Sequence, residues 1–347
     1  MPAIATLPFI ESFDHYDIEN TKWMVAGPGS SIDLSNTGIS RTGIGCLTCS
    51  QTDGPQLLFP SLTRVVWGGA FYPDGTPPSQ GDFGQIYTMR SINDNTSQVR
   101  IGMYKDGSLV VKNDNDPIAV VIAQSAPGVI NPNAYNYIEV DAQIATSANL
   151  TVRVNNVTVI DVSGVQTQVP GSIQAVNLFI LKAIGNFTSG RHDDLYLRDP
   201  GGLGQGQAFY GPIRVRVAVA VQDATPLQCV PSTGTDHFAL VDEIPPDDGA
   251  TYVAADTPTQ TDEYFYGISG IGNGAVIPVV QHTMDAVLIG GGSRALGSSC
   301  GGTATGSSQV TAVYNMVVTP YETDPVTGLD WQVSNLALRS FGPVVTG

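Results

Sequence analysis

The sequence predicts an all-β protein built as two β-rich domains in tandem. Short runs rich in Val, Ile, Tyr and Phe alternate apolar with polar residues along the 347-residue chain, the period of a strand with one buried face. Glycine (39) and proline (23) stand between these runs as turn formers and are not gathered into low-complexity blocks. No stretch repeats apolar residues at convincing helical spacing. At 42% apolar and 13% charged residues, the chain has the material for two hydrophobic cores under a polar surface.

The first half opens with residues 8–17, where Phe9, Glu11 and Phe13 share one face of a strand and Ile10 and Ser12 the other. Trp23-Met24-Val25 follows, then short alternating runs at 31–34 and 46–49. Residues 64–72 make the first long strand, and 85–89 and 99–104 come next, with Pro73-Asp74-Gly75 and Asn93-Asp94-Asn95 as turns. Asp106-Gly107 marks a hairpin, because it supplies the positive φ that a two-residue turn requires. Residues 135–144, 150–154 and 157–162 alternate cleanly, with Asn155-Asn156 turning the chain between the last two. Residues 176–181 are a buried-type run, and 191–200 read as the closing strand. Gly201-Gly202-Leu203-Gly204-Gln205-Gly206 then precedes a new strand pattern. The domains are therefore expected to be 1–200 and 201–347, with Asp193, Asp194, Tyr196 and Asp199 at the seam.

In the second half, residues 208–221 read as a strong strand. Val215, Val217, Val219 and Val221 lie on one face, and Arg214 and Arg216 point the other way. After a passage rich in Pro and Asp, further strands are expected at 251–253, 262–266, 275–282, 286–289 and 310–318. Ser298-Ser299-Cys300-Gly301-Gly302-Thr303 reads as a mobile loop. Residues 324–331 form a turn leading into 333–340, a short helical turn or a last strand.

Composition narrows the function. The formal charge is −16, from 31 acidic and 15 basic residues, with the basic ones scattered; no basic stripe interleaves with aromatics, so nucleic acid is not an expected partner. Met1-Pro2-Ala3-Ile4-Ala5-Thr6-Leu7-Pro8 lacks the basic start and apolar core of a signal peptide, and no apolar run is long enough for a membrane span. The chain is thus expected to be made in a cytoplasm, without membrane insertion. Cys46 and Cys49 form a Cys-x-x-Cys with no second pair nearby, in strand-like rather than βαβ surroundings, so small buried side chains or an incidental disulfide are expected. The carboxylate pairs Asp193/Asp194, Asp242/Glu243 and Asp247/Asp248 are adjacent in sequence; on a strand such neighbours face opposite ways and cannot serve one bond as acid and base. His15, His192, His237 and His282 are dispersed and sit in no nucleophile or zinc motif. No catalytic residue is assigned, and an enzyme is not expected.

The strand set of the first half resembles the concanavalin-like (laminin-G-type) jelly roll found in lectins and in phage structural proteins. The residues that carry this are Glu11-Ser12-Phe13-Asp14, Tyr137-Ile138-Glu139-Val140, Leu150-Thr151-Val152-Arg153-Val154-Asn155 and Asp193-Asp194-Leu195-Tyr196. The resemblance implies an N-terminal antiparallel jelly-roll sandwich, followed by a second β-sandwich-like domain. In the jelly roll the first and last strands are neighbours, so residues 9–13 are expected near 195–197. The remaining motifs are similar to those of tailed-phage virion proteins. They are Asp193-Asp194-Leu195-Tyr196-Leu197-Arg198-Asp199, Tyr210-Gly211-Pro212-Ile213-Arg214-Val215, Val241-Asp242-Glu243-Ile244-Pro245-Pro246-Asp247-Asp248, Thr251-Tyr252-Val253 and Asp324-Pro325-Val326-Thr327-Gly328-Leu329-Asp330-Trp331. Tyr210-Gly211-Pro212 departs from the Leu-Gly-Asp of that pattern.

This resemblance implies a structural protein of the virion, assembled in the host cytoplasm. A peripheral tail component (fibre, spike or tip) taking part in host adsorption is the first reading, and a head decoration protein or a free lectin-like protein are the alternatives. Its partners would be other virion proteins, sister subunits in a homo-oligomer and a host surface glycan. No organic cofactor is implied. Lectin-like jelly rolls hold Ca²⁺ on oxygen-rich loops, which makes Asn113, Asp114, Asn115 and Asp116 the candidate cation ligands. Tyr72, Phe83 and Tyr87 flank the loop 73–84 and are the candidates for stacking on a sugar.

Overall fold

The computed structural model describes residues 7–14, 23, 30–33, 41, 45–49, 53–74, 83–114, 120–184, 189–201, 208–247 and 249–347. Among these residues the chain forms two compact units, one of 7–14 and 23–216 and the other of 217–347. The junction falls after Arg216 and not at 200/201, because residues 208–216 are bound to the first unit by side chains described below.

The strands of the first unit are β1 (Phe9–Glu11), β2 (Ser30–Asp33), β3 (Cys46–Cys49), β4 (Asp53–Leu62), β5 (Arg64–Asp74), β6 (Gly84–Ser91), β7 (Thr96–Met103), β8 (Leu109–Asn113), β9 (Val120–Gln124), β10 (Asn136–Gln143), β11 (Ala148–Val154), β12 (Val157–Val165), β13 (Val176–Ile184) and β14 (Ser189–Arg198). They form an antiparallel jelly-roll sandwich. One sheet of eight strands runs β12-β11-β10-β5-β14-β3-β2, with β1 also on β14; the other, of six, runs β4-β13-β6-β7-β8-β9. Alternation decides which side chains enter the core. Trp67 of β5 meets Phe179 of β13 at 6.2 Å, and Phe179 meets Tyr87 of β6 at 5.6 Å, all buried.

The first and last strands pair as the jelly roll requires, Phe9 opposite Leu197 and Glu11 opposite Leu195. The strand stops at Glu11, however. Its carboxylate accepts the N–H of Ser12 and of Phe13, and Phe13 turns into the left-handed region at φ 62°, yet Phe9 and Phe13 both still pack on the buried Trp23, at 5.8 and 6.0 Å. Both hairpins read from sequence are present, but the first is not closed by a two-residue turn: Tyr104 N bonds to Ser108 O around Lys105-Asp106-Gly107, and only Gly107 takes positive φ. Gly107 has φ 76° and donates to Tyr104 O; Asn155 and Asn156 have φ 49° and 70°, the double positive turn that suits right-twisted strands.

The second unit is a β-sandwich-like arrangement of smaller sheets. Its strands are β15 (Ala220–Leu227), β16 (Val230–Pro231), β17 (Val253–Ala254), β18 (Asp262–Tyr266), β19 (Val280–Ala286), β20 (Arg294–Cys300), β21 (Thr303–Val310), β22 (Asn315–Tyr321) and β23 (Ser340–Val345). A five-stranded sheet runs β15-β18-β23-β20-β21, and β16–β17 and β19–β22 form two-stranded ribbons. Cys300, Tyr321, Trp331 and Phe341 make its core, with the Trp331 indole donating to Tyr321 O at 2.8 Å. Residues 333–340 contain both expected elements, the helix α1 (Val333–Leu336) and the start of β23.

Two expectations fail here for physical reasons. Residues 298–303 are not a mobile loop: Ser298, Ser299 and Cys300 are buried in β20, and Gly301-Gly302, at φ 53° and 81°, close a tight hairpin into β21. Residues 208–219 are not a paired strand. Pairing begins only at Ala220, opposite Tyr266.

Candidate functional site

The three aromatic candidates for a sugar platform are each engaged by the protein itself. Tyr87 is fully buried, packed on Phe179 and on His192 at 5.4 Å, with its hydroxyl pKa raised by burial. It faces the core, because β6 carries it to the inner side. Phe83 lies over Gly102, where a methyl group would collide with its ring, and Lys112 Nζ sits 4.4 Å from the ring centroid. Tyr72 is edge-on to Tyr135 at 5.4 Å and lies under the Arg191 guanidinium at 5.4 Å. No two of these rings form a shared stacking surface.

The candidate cation run is likewise committed. Asn113 is buried and donates to Gln166 O at 3.3 Å, while Asp114 is ion-paired to Arg100. A Ca²⁺ ion at Asp114 would have to displace or oppose that guanidinium, so the described half of the run does not fit the ion. Asn115 and Asp116 lie outside the described residues. Among the described residues no group of three or more His, Cys, Asp and Glu side chains is disposed to hold a metal. Cys46 and Cys49, three apart on β3, point to opposite faces; both are buried and neither is in a disulfide.

The acidic residues around Asp193 and Asp194 form the most elaborate polar cluster. A bulge in β14 between Asp193 and Tyr196, with Asp194 at φ 51°, breaks the alternation that should separate the two carboxylates. Both therefore reach Arg41. Asp193 Oδ2 accepts its backbone N–H at 2.8 Å, and Asp194 Oδ2 pairs with its guanidinium at 2.6 Å. Arg41 also donates to Ile213 O at 2.6 Å and stacks on Tyr137 at 4.9 Å, and the Tyr137 hydroxyl donates to Asp194 O. Asp194 Oδ1 accepts the Val215 N–H at 2.7 Å. Asp199, the fourth seam residue, caps the Gly201 N–H instead.

Next to this cluster stands Glu139, in the middle of β10. Ile138 and Val140 face the core, so Glu139 points to the outer side of the eight-stranded sheet. It is fully buried there. Oε1 accepts the Tyr196 hydroxyl at 2.7 Å and the Gly211 N–H at 2.8 Å, and Arg153 Nη1 lies 3.8 Å from Oε2. Burial raises its pKa against these donors. Gly68 makes the room: a Cβ there would stand 2.4 Å from the Tyr196 ring.

What covers Glu139 is the chain's own segment 208–213. Phe209 lies under Arg153 at 5.0 Å and Tyr210 under Arg198 at 4.6 Å, with Tyr210 against Tyr196 at 4.9 Å. Ala208, Phe209, Tyr210 and Ile213 pack on Val66, Ala70, Tyr137 and Tyr196. A carboxyl–tyrosine–arginine set of this kind could bind or deprotonate a sugar if it were open. Here it holds a strap. Sequence reading placed Tyr196 at the seam but missed Glu139 as its partner; the signal was an acidic residue in mid-strand opposite a glycine, Glu139 facing Gly68. Replacing Tyr196 with Phe is expected to cost about 1–2 kcal/mol, since it removes one donor from a buried carboxyl. Equilibrium urea unfolding measures this.

Among the described residues of the second unit, Asp262 and His237 form a carboxylate–imidazole pair of the kind a catalytic relay uses, at 2.6 Å. Burial alone would raise the Asp262 pKa, but the N–H groups of Cys229 and Gln228, the imidazole and the Tyr264 hydroxyl hold it below its ordinary value. Cys229 bonds to this same carboxylate, and burial pushes its thiol up to about 12. A thiol so placed is protonated at neutral pH and is not a nucleophile. Glu243 and Asp247 both accept from the Thr251 hydroxyl, as turn caps; Asp248 lies outside the described residues. Glu263 is bonded to Ser299, Gly302 and Ser340, which ties three segments together.

No family model matches the chain, and no curated protein does. Solved structures of similar architecture exist. An endo-β-1,4-glucuronan lyase from the fungus Trichoderma reesei is 10% identical, with 55% of this chain and 94% of that one covered and a TM-score of 0.38. Carbohydrate-binding module CBM66 from Bacillus subtilis is 12% identical over 54% and 97%, with a TM-score of 0.32. A carbohydrate esterase from the Shiga toxin-encoding bacteriophage phi24B is 10% identical over 55% and 98%, with a TM-score of 0.36. At these values the likeness supplies no residue-by-residue correspondence.

Proposed function

We propose that this protein is a structural subunit of a tailed-phage particle, a peripheral tail component that takes part in host adsorption through surface burial and not through bond chemistry. The observation that carries the non-catalytic part is the strap. Segment 208–213 fills a sheet face on which a buried carboxyl, a tyrosine and arginines converge, with Gly211 N on Glu139 and Tyr210 between Arg198 and Tyr196. The other carboxylates described above bond to backbone N–H groups, hydroxyls, an imidazole and guanidinium groups, as braces do. The phage part is supported by the motifs quoted from the sequence.

The test is the composition of gradient-purified particles from lysates of the encoding host. The protein is expected at fixed stoichiometry with tail proteins, and in tail-only fractions when heads are removed. Fixed stoichiometry with the major capsid protein in tail-free heads would instead make it a decoration protein. Its absence from particles, together with glycan binding or cleavage by the free chain, would overturn the proposal.

A further inference from the structure

The strap over Glu139 continues to Val215 and is bound in a repeating pattern. Gly211 N donates to Glu139 Oε1 at 2.8 Å, Ile213 O accepts from Arg41 at 2.6 Å, and Val215 N donates to Asp194 Oδ1 at 2.7 Å. Every second residue of the segment thus meets a charged side chain of the groove, in the order acceptor, donor, acceptor. Reading of main-chain groups at alternate positions is a peptide-docking mode. Two rings anchor the start of the segment, Phe209 under Arg153 and Tyr210 between Arg198 and Tyr196. Ile213 N is satisfied inside the segment, by Gly211 O at 2.7 Å across Pro212, so the segment carries its own bend.

The groove does not need this segment to come from its own chain. Its walls are β10, β11, β14 and Arg41, and both sheets of the first unit are complete without residues 208–215. Arg41 pairs with Asp194, and Tyr196 with Glu139, independently of the strap. The segment is preceded by Gly201-Gly202-Leu203-Gly204-Gln205-Gly206, in sequence the composition of a tether, and the second unit begins just past its end. An element seated on one face and joined in this way can pass between identical chains contact for contact.

We infer that the groove is the docking site for segment 208–215 of a second copy. In the exchanged state the strap of one chain lies on the eight-stranded sheet of its neighbour, with every contact named above made between the two, and the neighbour's strap returns the same contacts. The occupant is set by fit: the residues that fill the groove are present in every copy, so the exchange loses no contact. Only the tether separates the two states. A short tether presents the strap at an effective concentration of about the millimolar range. A free chain at micromolar concentration therefore closes on itself, and copies crowded at repeated positions exchange. Crowding of that kind is what the repeated-subunit reading supplies, and the exchange rests on that reading to this extent.

The test uses the free full-length chain. By sedimentation equilibrium the wild type is expected to be monomeric at micromolar concentration and to dimerise toward millimolar. Inserting about fourteen Gly and Ser residues after Gly204 makes the tether about three times as long and lowers its effective concentration about fivefold. The dimer is then expected at about fivefold lower protein concentration, whereas a dimer built on any other surface ignores the insertion. Tyr210→Ala removes an anchor and is expected to abolish the dimer with an unchanged circular dichroism spectrum. A labelled peptide of residues 207–216 probes the groove directly. It is expected to bind the Phe209→Ser/Tyr210→Ser chain about tenfold or more tightly than it binds the wild type, whose groove is filled. A chain monomeric at every concentration with either tether, a dimer indifferent to tether length or to Tyr210→Ala, or a peptide that binds neither chain overturns the inference. None of these results touches membership of the particle, which the lysate experiment decides.

Discussion

Asp194→Ala is expected to destabilise the first unit by about 3–5 kcal/mol, the range for breaking a buried ion pair from one side. The carboxylate is fully buried and accepts from the Arg41 guanidinium at 2.6 Å and from Val215 N at 2.7 Å. Alanine leaves Arg41, largely buried, with its remaining bond to Ile213 O, and leaves the Val215 N–H without its acceptor. The backbone adds to the loss. At φ 51° an aspartate is tolerated better than an alanine, which has no side-chain group to bond locally. Asp194→Asn keeps that tolerance and one acceptor oxygen, and is expected to lose less. Because Asp194 grips the far end of the strap, the alanine variant should also admit protease at residues 208–216 under conditions where the wild type resists. Urea unfolding and limited proteolysis read the two effects. A variant within about 0.5 kcal/mol of wild type, cleaved no faster, would mean that the strap is held elsewhere.

Much of the first unit was legible because its strands obey local rules. Gly107 and Asn155-Asn156 sit where a turn demands positive φ and take it, and the alternation of residues 135–144 places Ile138 and Val140 inside. The misreadings come where a tertiary feature overrides alternation. The bulge at Asp194 turns adjacent carboxylates toward one arginine, and no residue type announces it. Tyr87 follows the same alternation into the core although it borders a polar loop. Gly301-Gly302 supports either a mobile loop or a tight hairpin; the buried Ser298, Ser299 and Cys300 before it decide for the hairpin, and burial is not local information. The β-branched residues of segment 208–219 point to a strand, but Gly211 at φ 80° and the side chains that hold 208–215 to the first unit leave it unpaired until Ala220. The site was harder than the fold, since Glu139, Tyr196 and Gly211 meet only when three distant segments are brought together.

Acidification tests a second consequence of burial, and it should act on both units. His192 and His282 are fully buried, and burial lowers each pKa from 6.5 to about 4. Each ring is held as the neutral form: His192 Nε2 donates to Lys182 O at 2.9 Å, and His282 sits between the Tyr266 and Ser298 hydroxyls at 3.0 and 2.7 Å. Between pH 6.5 and 4 the unfolded chain binds a proton on each ring that the folded chain refuses. Stability is therefore complete above about 6.5 and falls by about 1.4 kcal/mol per histidine for each pH unit below it, to a total near 3 kcal/mol per histidine. Asp324 does not share this window. Arg339, bonded to it at 2.8 Å, holds its carboxyl below the usual range, so that pair fails only at lower pH. Thermal unfolding followed from pH 8 to 4 should show the loss beginning near neutrality, and His282→Gln, which keeps one polar contact but cannot titrate, should flatten the dependence for the second unit. The same slope in wild type and in His192→Gln/His282→Gln would show that other groups take up the protons.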